Sequence, residues 1–191
     1  MKLIYVTLLK LKVFFSTAFI VLFIISNGVN AQETEKEHDK EEFKHHKISV
    51  VMGHTHVPKA TSPTSETAGI IIPSWGLNYD FWINPKWAIG LHNDMEITNY
   101  VIEAEAGTEI ERERPFIMAV VGTFKANEHI ELLAGFGREF EKNHNFWVYR
   151  FGIEYEFEIG HHWSLAPSLI FDAKEGVYDS WTLGVVIGRK F

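Results

Sequence analysis

The sequence predicts an all-β protein: an eight-stranded antiparallel up-and-down transmembrane barrel, following an N-terminal signal peptide. Three observations predict it. From Ile48 onward the chain runs in short stretches of alternating apolar and polar residues, with no helical period. The apolar parity of these stretches carries more aromatic rings than a small barrel interior holds. The connections between stretches alternate between short and long, with the short ones all on one side.

The elements follow in order. Residues 1–31 read as a secretory signal. Lys2, Lys10 and Lys12 form a basic leader, an apolar run spans Val13 to Ile25, and Val29-Asn30-Ala31 is a small-residue cleavage site. The rival reading is an uncleaved helical anchor, for which the run is short against the ~20 residues a span needs. Residues 32–47, QETEKEHDKEEFKHHK, are almost all charged or histidine and lack the apolar content to build a core. They read as a mobile tether. The barrel then occupies 48–191.

Eight runs lie near 47–56, 74–83, 86–97, 115–125, 129–140, 146–158, 162–172 and 180–191. Asn84-Pro85, residues 126–128 and residues 159–161 make short turns. Longer gaps fall at 57–73, 98–114, 141–145 and 173–179. Short periplasmic turns and longer external loops are the form of an outer-membrane barrel in a Gram-negative bacterium. This places 57–73, 98–114 and 141–145 outside the cell.

The run 147–160, WVYRFGIEYEFEIG, shows which face points where. Trp147, Tyr149, Phe151, Ile153, Tyr155 and Phe157 share one parity, and Arg150, Gly152, Glu154 and Glu156 share the other. A soluble protein buries the rings; a membrane barrel turns them to lipid. Across the eight runs the second parity collects glycine, serine, Asn78, Asp80, His92, Asp94, Glu131, Glu139 and Lys190, which suit a crowded, hydrated lumen. Gly122 is the strand glycine expected to face outward. The outward rings fall into two girdles: Phe81, Trp87, Phe124, Phe157, Trp163 and Phe191 near the short turns, and Trp75, Phe116, Phe140, Trp147, Phe171 and Trp181 near the long loops.

The final run, WTLGVVIGRKF, sets Trp181, Leu183, Val185, Ile187 and Phe191 on one face. It resembles the terminal strand by which bacterial outer-membrane proteins are recognised, and the resemblance implies that Phe191 is an assembly signal read by the barrel-assembly machinery. Arg189 departs from that pattern, and its long side chain is expected to snorkel to the interface. The whole of 48–191 resembles small eight-stranded barrels of the OmpA/OmpX type in architecture, with no functional motif carried over.

Composition narrows function. The chain has 191 residues, a formal net charge of −7 and no cysteine. The charge argues against nucleic-acid binding. The missing cysteine excludes disulfides, thiol nucleophiles and cysteine-ligated metals. No cofactor motif is present. The expected partners are outer-membrane lipid and lipopolysaccharide, and the expected state is a monomer.

Four constellations remain. Glu139, Arg150, Glu154, Glu156 and Lys190 form a lumen ion network, with Arg150 at the height of Glu139 and Lys190 opposite Glu156 and Glu158. His54 and His56, with His92 and Asp94, carry the donor types of a zinc, copper or nickel site; by parity, however, His54 faces out and His92 in. His162 and Ser164 with Glu175 superficially resemble the residues of lipid A deacylases, but the strand separates them by about 30 Å if it crosses a bilayer. The long loops, rich in Glu103, Glu105, Glu109, Glu111 and Glu113, read as solvated, or as strand extensions above the membrane that bind a surface partner or divalent cations bridging lipopolysaccharide. The resulting expectation is a protein that is not an enzyme, with an envelope-structural or surface-interaction role. The alternative is limited transport or handling of small cations or metals through the acidic lumen.

Overall fold

The computed structural model describes residues 43–61, 69–103 and 109–191. The signal peptide, most of the tether, Glu105 and the segment 62–68 lie outside the described residues. Among the described residues twelve strands are formed: β1 (His46–Val57), β2 (Ala60–Thr61), β3 (Ile70–Asn84), β4 (Trp87–Glu96), β5 (Tyr100–Glu103), β6 (Glu109–Arg112), β7 (Phe116–Lys125), β8 (Ile130–Phe140), β9 (Phe146–Tyr155), β10 (Phe157–Glu158), β11 (Trp163–Lys174) and β12 (Tyr178–Lys190). Each of β1, β3, β4, β7, β8, β9, β11 and β12 pairs antiparallel with its neighbour, β10 continues β9, and β1 pairs with β12 to close an eight-stranded barrel. The tether ends sooner than the sequence suggests: His46 and Lys47 already belong to β1, and His45 exchanges bonds with Trp82.

Two of the three short turns, at Asn84 and at Asn127, share a cause. Asn84 Oδ1 accepts from the backbone N–H of Lys86 (2.9 Å) and Trp87 (3.0 Å), and Asn127 Oδ1 accepts from His129 (2.9 Å) and Ile130 (2.8 Å). An asparagine carboxamide that mimics a backbone acceptor closes each bend. At the opposite end, the expected gap 173–179 shrinks to three residues, Glu175 to Val177. Glu175 (φ 50°) and Gly176 (φ 73°) are both left-handed, and Val177 N–H donates to Lys174 O at 2.9 Å. Left-handed φ at both central positions suits the twist of the flanking strands.

The rings point outward, as the parity requires. Trp75, Trp87, Trp147, Tyr149, Phe151, Trp163, Trp181 and Phe191 are exposed, whereas Asp80, His92, Glu131, Glu139, Arg150, Glu154 and Glu156 are buried. An isolated barrel in water would not present such a surface; a hydrocarbon slab accepts it. Within the wall, glycine sets how closely strands and side chains meet. A Cβ on Gly137 would strike the Met118 carbonyl oxygen and lie 2.5 Å from Ala119 Cα, both backbone atoms of β7, whereas one on Gly122 meets nothing nearer than Ala134 O at 3.7 Å. Gly137→Ala is therefore expected to destabilise the barrel by about 1–3 kcal/mol, with Gly122→Ala near neutral. Urea unfolding in lipid vesicles measures both; equal effects would contradict the inward placement of Gly137.

Candidate functional site

The lumen is layered with ion pairs. At the short-turn end the chain breaks between β9 and β10, and Glu156 turns inward there. Three lysines from three strands converge on it: Lys47 at 2.5 Å, Lys190 at 2.7 Å and Lys125 at 3.2 Å. Lys47 also lies 3.6 Å from Glu131, and Lys190 3.8 Å from Glu158. Further along, His92 Nε2 sits 3.0 Å from Asp80 Oδ1. Arg150 then grips Asp172 through two bonds of 2.8 Å and reaches Asp94 as well. At the long-loop end Lys174 bridges Glu96 (3.2 Å) and Glu139 (3.0 Å). Between the lowest layers lies a cavity with room for about one water molecule, lined in part by Lys47, Asn78, Asp80, His92 and Glu154. Ser49 Oγ, Trp82 Nε1 and Glu131 Oε1 border it without hydrogen-bond partners.

The long-loop end is covered. β2, β5 and β6 come from two different loops, yet they form one three-stranded sheet. Tyr100 and Ile102 of β5 pack with Ala60 of β2 and with Val57, Ile72, Phe146 and Tyr178 of the barrel strands, making the largest apolar cluster among the described residues. Two side chains latch this cap to the ions beneath. Tyr100 Oη–H donates to Glu96 at 2.6 Å; its burial and the Glu96 charge push its pKa well above the ordinary value. Arg112 of β6 is fully buried, pairs with Glu139, donates to His144 O at 2.7 Å and lies 4.8 Å over the Phe146 ring. Tyr178 Oη–H donates to the same Glu139 at 2.7 Å.

Several residues singled out from the sequence occupy other surroundings than expected. Glu139 does not meet Arg150. In the β8–β9 ladder Glu139 is level with Phe146 and Arg150 with Gly135, so Glu139 sits a full layer higher and takes Arg112, Lys174 and Tyr178 instead. Glu154 is buried opposite Glu131 and has no cation within 4.0 Å among the described residues. His54, His56, His92 and Asp94 are not brought together: both His54 and His56 are on the outer surface, His92 is buried against Asp80, and Arg150 occupies Asp94. Among the described residues no cluster of three or more such donors is poised for a metal. His162 precedes β11 and Glu175 follows it, so they sit at opposite ends of the barrel. Phe191 sits at the seam, exchanging backbone bonds with His46 (2.9 and 3.2 Å) and stacking on its ring at 5.6 Å.

The sequence allows strand extensions above the membrane, but it does not announce the joining of two loops into one cap. Its loops look charged and solvated because Glu103, Glu109 and Glu111 dominate them. The signal present is alternation in two short pieces, Tyr100-Val101-Ile102-Glu103 and Glu109-Ile110-Glu111-Arg112, which face each other as a hairpin.

No protein-family model matches the chain, and no curated protein matches it by sequence. Solved structures match it in fold. The outer membrane protein OprG from Pseudomonas aeruginosa covers 80% of this chain and 99% of its own, at 10% identity and a TM-score of 0.50. The N-terminal β-barrel domain of OprF from the same organism covers 76% and 97%, at 7% identity and a TM-score of 0.50. Neisserial surface protein A covers 76% and 97%, at 10% identity and a TM-score of 0.49. The likeness is one of fold: this chain is similar to small outer-membrane barrels.

Proposed function

We propose that this chain is a non-catalytic outer-membrane barrel of a Gram-negative bacterium, with the long-loop end outside the cell, and that it acts through its external surface. The observation that carries the reading is the capped lumen. Ion-paired side chains cross it at every level, and β2, β5 and β6 close its mouth. A transported ion has no open path through an interior of this size when its own side chains fill it. This disfavours handling of small cations or metals through the lumen. The separation of His162 and Ser164 from Glu175 removes the one catalytic arrangement that the sequence suggests. What remains for solvent to read is the cap. Its partners in this reading are membrane lipid and lipopolysaccharide, and the assembly machinery that engages the strand ending in Phe191.

The test uses the absence of native cysteine. Glu111→Cys on the cap and Asn127→Cys in a short turn, both exposed, are treated in intact cells with a membrane-impermeant maleimide. Glu111→Cys is expected to label, and Asn127→Cys only after lysis. The reverse pattern overturns the orientation. In planar bilayers the purified protein is expected to give no discrete conductance steps; steady cation-selective steps would restore the transport reading.

A further inference from the structure

The cations inside the barrel all have carboxylate partners; several outside it do not, and three of these belong to the long-loop rim of β7 and β8. Arg138 of β8 faces outward at the height of the upper aromatic girdle, where it is level with Trp147 of β9 and Met118 of β7. Its guanidinium lies 5.1 Å over the Trp147 ring, which stacks on Phe136 at 5.0 Å. Its Nε is buried without a hydrogen-bond partner. Lys142 follows β8 in the loop two residues beyond Phe140 and is exposed. Arg114 enters the neighbouring β7, exposed and in a left-handed conformation (φ 47°). No carboxylate among the described residues lies within 4.0 Å of Arg114, Arg138 or Lys142.

The acids nearby are oriented elsewhere or stand apart. Glu141 accepts from the backbone N–H of Asn143 (2.8 Å) and His144 (3.3 Å) and turns inward to Arg112 at 3.4 Å. Glu175 accepts from Trp147 N–H at 3.4 Å. Glu113 is exposed beside Arg114. A partly buried arginine on the lipid-facing wall is costly without a counter-ion. At the membrane interface the available anion is a lipid phosphate, whose oxygens fit the planar guanidinium bidentately. Aromatic rings beneath the charges offer a surface for acyl chains.

We propose that Arg114, Arg138 and Lys142 form a binding site for the phosphate of an outer-leaflet glycolipid. The site rests on the reading of the chain as an outer-membrane barrel with its long loops outside. Arg189 provides the internal contrast. It also lies over a ring, 5.6 Å from Trp163, but at the short-turn rim and with no comparable cluster.

The experiment is native mass spectrometry of the folded full-length barrel titrated with bisphosphorylated lipid A, dephosphorylated lipid A or phosphatidylglycerol. R138Q/K142Q is compared with R189Q, and each variant is first checked for folding by its heat-dependent gel mobility. Wild type is expected to retain bisphosphorylated lipid A. The double variant is expected to bind it about tenfold or more weakly, the size of losing one charge-assisted hydrogen bond, while R189Q binds as wild type. Loss of binding with dephosphorylated lipid A supports the phosphate contact. Equal retention of phosphatidylglycerol supports the phosphate site but overturns the glycolipid as its occupant. Wild-type affinity in the double variant, or equal loss in R189Q, overturns the site. Failure of wild type to insert into vesicles at all would instead sink the membrane reading beneath it.

Discussion

Phe151→Arg is expected to block stable insertion. Phe151 lies mid-strand in β9, level with Ala134 and Phe171, and its side chain is 54% exposed on the outer wall. A guanidinium at that depth faces hydrocarbon from every outward direction, at a cost of about 2–4 kcal/mol. Refolding into vesicles followed by urea titration should show the loss as a lowered midpoint or as no insertion. Gly152→Ala, one residue on, should be milder. Its Cβ meets the Cδ1 end of Ile170, a flexible tip that can move. If Phe151→Arg inserts as well as wild type, the rings do not face lipid.

Arg150→Met should be about as damaging, from the opposite side of the wall. Arg150 is the cation of the middle layer, bound to Asp172 and Asp94. Methionine fills much of the volume but leaves two carboxylates without their partner. Removing one member of a buried ionic set costs about 3–5 kcal/mol, a large share of the 5–15 kcal/mol that typically holds a domain together. The same loss should largely disappear in the triple variant Arg150→Met, Asp94→Asn, Asp172→Asn, because the stranded charges go with it. If the single variant is as stable as wild type by urea titration, the layer contributes packing and not charge balance.

The strands and their faces were legible because a two-residue period with one apolar side leaves little freedom of register. Asn84 and Asn127 marked their turns for the same local reason that they close them. Legibility failed where the cause was not local. Ile70 to Ile72 is apolar on both parities, so it allows a strand extension there but does not mark where β3 begins. Glu175 is an unusual residue for a left-handed turn position, so the sequence suggests a longer gap between β11 and β12 than the hairpin that forms. The cap depends on β2 meeting β5 across two loops, a pairing that no single segment encodes. The ion network was visible as a set of residues but not as a set of pairs. The β8–β9 register sets Glu139 opposite Phe146 and Arg150 opposite Gly135, so the two lie in different layers although their strands are adjacent.

The seam between β1 and β12 also governs how the protein comes into being. Its ladder runs from Lys47 opposite Lys190 to His56 opposite Trp181, joining the strand synthesised first in the barrel to the one synthesised last. Contacts so remote in sequence form late, because loop closure must precede the bonds that reward it. Until they form, both strands present bare edges, and a lipid interior has no water to satisfy them. A chain halted before β12 would therefore not be a smaller barrel with reduced activity. It would be an open sheet that a bilayer rejects and that other edges can capture, so in the cell the protein's maturation is a race between closing its seam and aggregating.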